Sequence, residues 1–449
     1  MRGNIFHTIY RNHKRNTKEE TFTFHTDYEV ERPLINVYPQ VTYQTLRGFG
    51  GMFTEAAAYC IQNAGGHNGE RILQDLFGDD GLRYNCGRVH LDSCDASLSN
   101  YSAMDDPDDT NLDTFSLKRD EKYLIPMIKK AQEFSGQPLT LMISPWSPPA
   151  FMKTNGEKNH GGQLKPEYYG LWAKYICRFI KEYEKHGIRF SMISLQNEPN
   201  AAQEWDSCQF SAAEEREYLR KYLIPELKAQ ELDYLDVLIW DHNKERALEH
   251  ALETLIDSEM KENIAGVAFH WYSGDHFEQL SMIGKLFPDK RLVFSEGCVE
   301  YSRFGKDDHL AHARMYAHDM IGNLNHGADC LIHWSMIFDQ NGGPNHVNNL
   351  CEAIIMCDTE KKTYTKTLPY YYISHFSRYI KPGAVRIGYS KFDESLDVTA
   401  FLNPDGERVL VILNKTDREI PFILREGNEI AKLQMYPDSI ATLCYKNNS

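Results

Sequence analysis

Hydrophobic and polar positions follow two alternating patterns along most of the chain. From about residue 46 to 376, short apolar runs typical of buried strands alternate with longer stretches whose apolar residues recur every three or four positions. The eight strand-like runs span residues 47–53, 83–90, 139–144, 190–197, 236–240, 265–270, 291–296 and 328–335. The intervening stretches, such as 164–187 and 211–230, carry charges on the opposite face, as amphipathic helices do. Eight strand–helix units predict an α/β fold, a closed parallel (β/α)8 TIM barrel, rather than an open sheet.

The pattern changes after Lys381, where the helical period ends and alternating runs typical of antiparallel strands begin. The sequence NPDG at residues 403–406 has the residues of a tight hairpin turn. Two N-terminal stretches, 22–30 and 35–46, alternate in the same way. We therefore expect a catalytic barrel over residues 46–376 and a side antiparallel β-sandwich built from residues 1–45 and 377–449, with the two parts packed tightly together.

Composition and charge narrow the classes of partner. The chain of 449 residues has 49 Lys and Arg against 64 Asp and Glu, which gives a formal charge of −15. A surface of this charge should repel phosphate backbones, so we expect no nucleic-acid partner. No apolar run approaches the roughly 18 residues of a membrane span, and we expect no stable membrane insertion. The basic N-terminus lacks the apolar core of a secretory signal, and the ten Cys include no CxxC pair. These features predict a cytoplasmic protein with reduced thiols; the oligomeric state stays open.

Two carboxylates follow apolar strands directly. Asn197 and Glu198 end the fourth predicted strand, and Glu296 ends the seventh. Functional side chains of a parallel barrel lie at the carboxyl ends of its strands, and a charge placed there is costly unless it reaches partners. Two carboxylates facing each other suit hydrolysis of a glycosidic bond, because one protonates the leaving oxygen while the other stabilises or captures the sugar carbon.

The other strand ends supply aromatic, acidic and basic side chains. They are Arg88, Asp92, Asp95, Trp146, Asp241, His242, His270, Trp271, Tyr272, His333 and Trp334. Aromatic faces stack on the C–H faces of a sugar while polar groups bind its hydroxyls, so this lining indicates a carbohydrate substrate. The chemistry requires no metal and no organic cofactor, and no GxSxG motif supports a serine hydrolase.

Three histidines raise the question of zinc. His309, His312 and His318 lie in one predicted helix, but the sequence contains no HExxH motif. We interpret them as structural or surface residues rather than as zinc ligands.

Several segments match a known family in its own order. They are RGFGGMFTEAAA, RVHLDSCDASLSNYS, DDPDDTNLDTFSL, SPWSPPAFMKTNG, QNEPNAAQEWDSCQF, FHWYSGDHF, FSEGCVE, HWSMIFDQNGGPNHV and HFSRYIKPGAVRIG. They run from about residue 46 to 388, and the tail NPDGERVLVILN is also similar. The chain thereby resembles glycoside hydrolase family 30, in the branch that contains the glucosylceramidases (acid β-glucosidases) and their bacterial relatives.

The resemblance implies a TIM barrel with a β-sandwich built from both termini, and a retaining mechanism. Glu198 of the Asn-Glu-Pro motif would be the acid/base, and Glu296 of the Ser-Glu-Gly-Cys motif the nucleophile. Arg88 would orient the nucleophile and Trp334 would floor the pocket. The remaining residues expected to contact the terminal sugar are Asp95, Trp146, Asn197, His270, Tyr272 and His333, the last at a position where the lysosomal member of the branch has Asp.

The expected activity is exo-acting hydrolysis of a terminal β-linked sugar from a glycolipid, a glycoside or a short oligosaccharide. In that mechanism the charge of Glu296 should raise the pKa of Glu198, so that Glu198 holds the proton it donates. Two alternatives stay open: an endo-acting β-1,6-glucanase or xylanase, and a sugar-binding barrel without activity.

Overall fold

The computed structural model describes residues 1–28 and 33–446, and its N-terminal part consists of strands. These are β1 (Arg2–Arg11), β2 (Lys14–Thr23), β3 (His25–Thr26) and β4 (Leu34–Thr45). Residues 29 and 30, the last two of the predicted stretch 22–30, lie outside the described residues.

Strands and helices then alternate. The strands of this part are β5 (Gly48–Phe53), β6 (Cys86–Leu91), β7 (Thr140–Pro145), β8 (Met192–Ser194), β9 (Asp236–Asn243), β10 (Gly266–His270), β11 (Arg291–Glu296), β12 (Val299–Glu300), β13 (Cys330–Ser335), β14 (Ile337–Asp339), β15 (Cys351–Glu352), β16 (Ile355–Asp358) and β17 (Thr363–Lys366). The helices are α1 (Glu55–Asn63), α2 (Asn68–Phe77), α3 (Lys118–Lys122), α4 (Leu124–Ser135), α5 (Tyr169–Lys185), α6 (Ala212–Tyr218), α7 (Ile224–Ala229), α8 (Ala247–Leu255), α9 (Ser258–Asn263), α10 (Phe277–Leu286), α11 (Tyr301–Phe304), α12 (His309–Asn325) and α13 (Leu368–Ser377). Strands alone make up the described C-terminal part: β18 (Val385–Lys391), β19 (Leu396–Leu402), β20 (Arg408–Asn414), β21 (Ile420–Glu426), β22 (Glu429–Met435) and β23 (Ser439–Lys446).

Eight parallel strands close into a barrel in the order β10-β11-β13-β5-β6-β7-β8-β9. Each of them overlaps one of the eight predicted strands, so the predicted fold class is confirmed. The prediction for residues 190–197 is too long, because β8 has only three residues. The chain leaves the ladder after Ser194, and Glu198 has a left-handed φ of 49° that turns it away from strand geometry.

The helices begin and end where their sequences provide caps. Thr54 accepts a hydrogen bond from the backbone N–H of Ala57 at the start of α1, and Ser211 and Glu214 form a capping box at the start of α6. At the end of α4, Gly136 adopts the left-handed conformation that glycine tolerates without strain. These local signals fix where the helices begin and end.

Strands from both ends of the chain form a single ten-stranded sheet, in the order β2-β1-β23-β20-β19-β18-β4-β21-β22-β3. Apolar side chains from all of its parts, including Ile5, Phe22, Ile412 and Leu424, pack into one core, so the sheet folds over as a sandwich. One part of the prediction is wrong, because β4 and β21 run parallel to each other rather than antiparallel. These strands are far apart in sequence, and no hairpin constrains their relative direction.

Candidate active site

The site lies directly above an apolar layer that fills the barrel. The inward side chains of this layer are Cys86, Met142, Met192, Leu238, Ala268, Val293, Cys330 and Ile332. Side chains of a strand face the same side every two residues, so the next inward positions along five of these strands are polar. They are Arg88, Ser144, Ser194, His270 and Ser295. The alternation of the strands therefore creates a floor of hydrogen-bonding groups beneath the carboxyl ends of the barrel.

Arg88 is the centre of this floor and is fully buried. Its guanidinium donates to Glu296 Oε2, to Asp241 Oδ2 and to Asn197 Oδ1, each at 2.7 Å. It also lies over the ring of Trp146, with its Cζ 4.5 Å from the ring centroid. Charge-assisted bonds of this length fix the orientation of the carboxylates that accept them. The expected role of Arg88 in orienting Glu296 matches this geometry.

Asp241 reaches the site because the backbone of β9 bulges. Trp240 and Asp241 both have positive φ values, 75° and 52°, and the register with β10 shifts between Ala268 and Phe269. The extra residue turns Asp241 inward, where it accepts hydrogen bonds from Ser295 Oγ at 2.6 Å and from His270 Nε2 at 3.1 Å. Bulges that re-aim a side chain are common beside active sites.

Glu198 and Glu296 converge on the imidazole of His270. His270 Nδ1 lies 3.4 Å from Glu198 Oε1 and 3.9 Å from Glu296 Oε1. The ligand atoms of Glu198, His270 and Glu296 all lie within 4.8 Å of one another. Gln203 Nε2 donates to Glu198 Oε2 at 3.0 Å, and Tyr272 Oη donates to Glu296 Oε1 at 3.0 Å. The two carboxylates are therefore close to each other. Each is held by its own hydrogen-bond donor, and the imidazole of His270 lies near both.

The proton in this cluster resides on the histidine. Burial lowers the pKa of His270. The charge of Glu296 and the hydrogen bonds to Asp241 and Glu198 raise that pKa by more than burial lowers it, and the result is a pKa of about 9. Burial raises the pKa of Glu198, but the hydrogen bond from His270 and the nearby His242 outweigh it and lower that pKa to about 2. The expectation of a raised pKa for Glu198 is therefore wrong for this state of the site, since the hydrogen bond from His270 and the charges of His242 and His270 stabilise the carboxylate form.

The pKa of Glu296 shifts in the opposite direction from that of Glu198. Burial raises the pKa of Glu296 above its ordinary value, and the positive charges of His270 and Arg88 oppose that rise. A carboxylate in this environment is stable only while both cations stay in place.

Aromatic and acidic side chains complete the lining. The rings of Trp146 and Trp334 pack with their centroids 5.6 Å apart, and both are buried beside the site. Asp95 accepts hydrogen bonds from Asn345 Nδ2 at 3.3 Å and from Asn349 Nδ2 at 3.2 Å. Burial, together with the charge of Glu296, raises the pKa of Asp95 to about 7. A carboxyl with such a pKa can either donate or accept a hydrogen bond near neutral pH.

His333 does not belong to this lining, which corrects its predicted role. Its Nε2 lies 2.6 Å from Tyr84 Oη, and its ring packs against Tyr316 on the outer side of the barrel wall. Burial lowers the pKa of His333 to about 3, so the ring is neutral. Neighbouring side chains of a strand face opposite sides, and with Trp334 beside the site His333 must face the surrounding helices.

Sequence reasoning missed several residues that position the site. Gln203, Asn345 and Asn349 lie in loops. Gln203 and Asn345 fall inside two of the segments that match the family, but nothing in the local pattern marks the role of any of the three. Asp241 was recognised as polar at a strand end, but its burial and its bond to Arg88 depend on the bulge in β9. No helix among the described residues is both long and apolar enough to cross a membrane.

Comparison with known families agrees with this geometry. The glycosyl hydrolase family 30 TIM-barrel domain matches residues 46–380, and the family's β-sandwich domain matches residues 383–443. The chain belongs to glycosyl hydrolase family 30. Among members with known names, the lysosomal acid glucosylceramidase of Mus musculus is 31% identical over 412 residues, covering 88% of this chain and 79% of the mouse protein.

Solved structures of family 30 type show the same architecture. SrfJ from Salmonella typhimurium superimposes with a TM-score of 0.96 at 37% identity, covering 100% of both chains. The endo-β1,6-glucanase BT3312 superimposes with a TM-score of 0.88 at 25% identity, covering 99% of this chain and 100% of that one. The proteins to which this chain is similar thus include both a glucosylceramidase and an endo-glucanase.

Proposed function

We propose that this family 30 hydrolase is a retaining, exo-acting β-glycosidase of the glucosylceramidase type. It removes a terminal β-linked glucose from a glycolipid, a glycoside or a short oligosaccharide by double displacement. The observation that carries this proposal is the separation of the two carboxylates, with ligand oxygens of Glu198 and Glu296 within 4.8 Å of each other. Retaining enzymes hold their carboxyl groups about 5–5.5 Å apart, whereas inverting enzymes leave about 6.5–9.5 Å for a water molecule.

Glu296 is the nucleophile in this mechanism. Arg88 and Tyr272 hold both of its oxygens and keep it ionised and oriented toward the anomeric carbon. Its attack forms a covalent glycosyl-enzyme as the bond to the leaving oxygen breaks. Trp146 and Trp334 provide apolar faces for the sugar ring, and Asp95 lies at the position where a hydroxyl can be bound.

Glu198 and His270 act together as the proton donor. The imidazolium of His270, 3.4 Å from Glu198 Oε1, supplies the proton that Glu198 passes to the leaving oxygen. Once Glu296 is glycosylated it is neutral, and the pKa of His270 falls because its largest favourable charge is gone. The neutral imidazole and the Glu198 carboxylate then accept a proton from the attacking water, and the β-configuration is restored.

The loops around Asp95 support an exo-acting pocket rather than an open cleft. The loop after β14 reaches back to the loop after β6, where His346 N donates to Asp95 O at 3.3 Å and Asn345 and Asn349 bind the Asp95 carboxyl. His346 Nε2 also lies 3.4 Å from Asp206 in the loop after β8. These links form a wall at one end of the site, and a wall there favours an exo-acting pocket.

The test is a product analysis on three substrates: 4-nitrophenyl β-glucoside, glucosylceramide in detergent micelles, and a linear β-1,6-glucan. We expect turnover of the first two, glucose as the sole sugar product, and the β-anomer of glucose as the first product seen by proton NMR. A ladder of oligosaccharides from the glucan contradicts the exo assignment. The α-anomer as first product contradicts retention, and saturable binding without turnover on the whole panel identifies a sugar-binding barrel.

An endo-acting β-1,6-glucanase is the second candidate. It is favoured by the superposition on the endo-β1,6-glucanase BT3312, with a TM-score of 0.88. The sandwich and barrel of the two chains overlap along nearly their full lengths, so the distinction depends on the loops that border Asp95.

A further inference from the structure

A second cluster of ionisable side chains lies outside the catalytic pair. His309 and His312 occupy the first two turns of α12, and Glu352 lies in the short strand β15. His309 Nδ1 is 3.5 Å from Glu352 Oε1, and His312 Nδ1 is 3.0 Å from Glu352 Oε2. One ligand atom from each residue lies within 4.8 Å of the other two. Residues three apart on a helix face the same side, so the helix itself brings the two imidazoles together.

The Glu352 carboxylate is buried with few partners for its charge. Its side chain is 3% exposed, and within residues 1–28 and 33–446 no Lys or Arg nitrogen lies within 4.0 Å of it. A buried carboxylate requires a compensating positive charge. Here that charge comes either from protons on the two histidines or from a cation that replaces those protons.

The surrounding charges leave the cluster accessible. Asp308 caps α12 by accepting from Ala311 N, and Glu300 is paired with Arg303 at 3.0 Å. Lys306 lines the same cleft as His309, but its ammonium lies over the ring of Tyr301, 4.7 Å from the ring centroid, and donates to Asn341 O. The cleft has a volume of about 770 Å³ and includes His309 and Glu352 in its wall, so an ion can reach the cluster from solvent.

We propose that His309, His312 and Glu352 form a binding site for a divalent transition-metal ion, with Zn²⁺ as its natural type. Two imidazoles and one carboxylate are a common zinc ligand set, with water in the fourth position. Ligand atoms around a tetrahedral Zn²⁺ lie roughly 3.3–3.5 Å apart, given bonds of about 2.0–2.1 Å. The His309–Glu352 distance of 3.5 Å already matches, whereas the His312–Glu352 distance of 3.0 Å is that of a hydrogen bond and must lengthen by a few tenths of an ångström when an ion replaces the proton. The exposed side chain of His309 is free to rotate to the remaining distance.

An ion in this site would join two loops of the active-site wall. Glu352 pairs with Val299 in the ladder of β12 and β15, and its carbonyl accepts from Ser335 Oγ at 2.7 Å. Val299 follows Cys298, whose Sγ is 3.5 Å from Tyr272 Oη. The site is thus tied to the segments that follow Glu296 and Trp334, and metal binding should stiffen both.

The test measures Zn²⁺ binding to the full chain by isothermal titration calorimetry and by the shift in Tm. We expect one Zn²⁺ per chain at this site and a rise in Tm, with the affinity weakened at least about tenfold in His309→Ala and in Glu352→Gln. The d–d absorption of Co²⁺ bound by the same residues should disappear in both variants. His309→Ala is the primary variant because this side chain is half exposed, and its loss leaves the packing of α12 intact.

Two controls distinguish this site from others. His67 faces Glu70 at 3.7 Å on the surface, and no cluster of three possible ligands includes it in the part of the chain that the structure describes, so His67→Ala should bind Zn²⁺ as the parent does. Glu198, His270 and Glu296 also form a possible cluster, and Glu296→Gln removes it while leaving the His309 site intact. The proposal is overturned if no binding is seen, or if binding survives His309→Ala and is lost in Glu296→Gln.

Discussion

Arg88 and Asp241 form an ion pair with 2.7 Å between Nη2 and Oδ2, and neither side chain has any exposure to solvent. Breaking a buried pair from one side costs about 3–5 kcal/mol when the remaining charge has no other partner. Arg88 still pairs with Glu296 at 2.7 Å, so we expect Asp241→Asn to lower the free energy of unfolding by less than about 3 kcal/mol, measured by urea denaturation.

The control is a pair of the same type on the surface. Arg178 and Glu182 interact at 2.6 Å on the exposed face of α5, where the arginine side chain is 44% exposed. Such pairs contribute about 0.3–0.5 kcal/mol, so Glu182→Gln should change stability little. Equal losses in the two variants would show that Glu296 alone compensates the charge of Arg88.

Replacement of the nucleophile should abolish turnover. In Glu296→Ala no carboxylate faces the anomeric carbon, and we expect kcat on 4-nitrophenyl β-glucoside to fall by more than about 10³-fold. Added azide can occupy the vacated space and should restore part of the rate with the α-glycosyl azide as product. Activity near the parent level without azide would refute the assignment of Glu296.

Replacement of the acid/base should depend on the leaving group. Glu198→Ala should lose about 10²–10⁴-fold on unactivated β-glucosides, the usual contribution of general acid–base catalysis. Activated aryl glycosides need no proton on their leaving oxygen, so their glycosylation step should stay fast. The measurement is kcat/KM across a series of aryl glucosides of different phenol pKa; a uniform loss across the series would contradict this role.

The pH profile should report His270. Its pKa is raised to about 9, so the proton that it shares with Glu198 is present below that pH and lost as the pH rises through it. We expect kcat/KM to fall above about pH 9 in the parent enzyme. In His270→Gln the proton must reside on Glu198 itself, and the alkaline limb should move down by several pH units. An unchanged limb would show that another group supplies the proton.

The acid limb belongs to Glu296 in the same profile. Because burial raises its pKa above the ordinary 4.5, the nucleophilic carboxylate should be lost at a higher pH than an exposed glutamate would be.

We expect His333 to have a structural role and Asp95 to have a substrate-binding role. His333→Gln removes a buried contact with Tyr84 and should lower Tm while KM stays unchanged. Asp95→Asn lies beside Glu296 and should raise KM for the glucoside with a smaller effect on Tm. A raised KM in His333→Gln would return that residue to the sugar site.

The barrel could be predicted from the sequence because strand and helix periods are strong local signals. The two glutamates were recognisable because each directly follows an apolar strand. The position of His333 was not recognisable from the sequence, because a residue at a strand end can face either side of the barrel wall. Only the register relative to Trp334 decides which side His333 faces. The proton on His270 depends on distances to Asp241, Glu198 and Glu296, which no sequence pattern encodes.

The proximity of His309, His312 and Glu352 was also beyond the sequence. The two histidines were visible in one helix, but Glu352 lies 40 positions after His312 and reaches it only through the pairing of β12 with β15. A search for local motifs such as HExxH misses ligands contributed by separate elements. The predictions of a cytoplasmic location and of the domain limits stay predictions.

The placement of β1 and β4 in the sheet has a consequence for biosynthesis. β1 pairs with β23, and β4 lies between β18 and β21. The ribosome therefore synthesises these partners of the two N-terminal strands only when it reaches the opposite end of the chain. While the ribosome is still making the barrel, these strands expose unpaired edges that can associate with other chains. Nascent chains stalled before residue 439 should therefore be the form of this protein most dependent on chaperones.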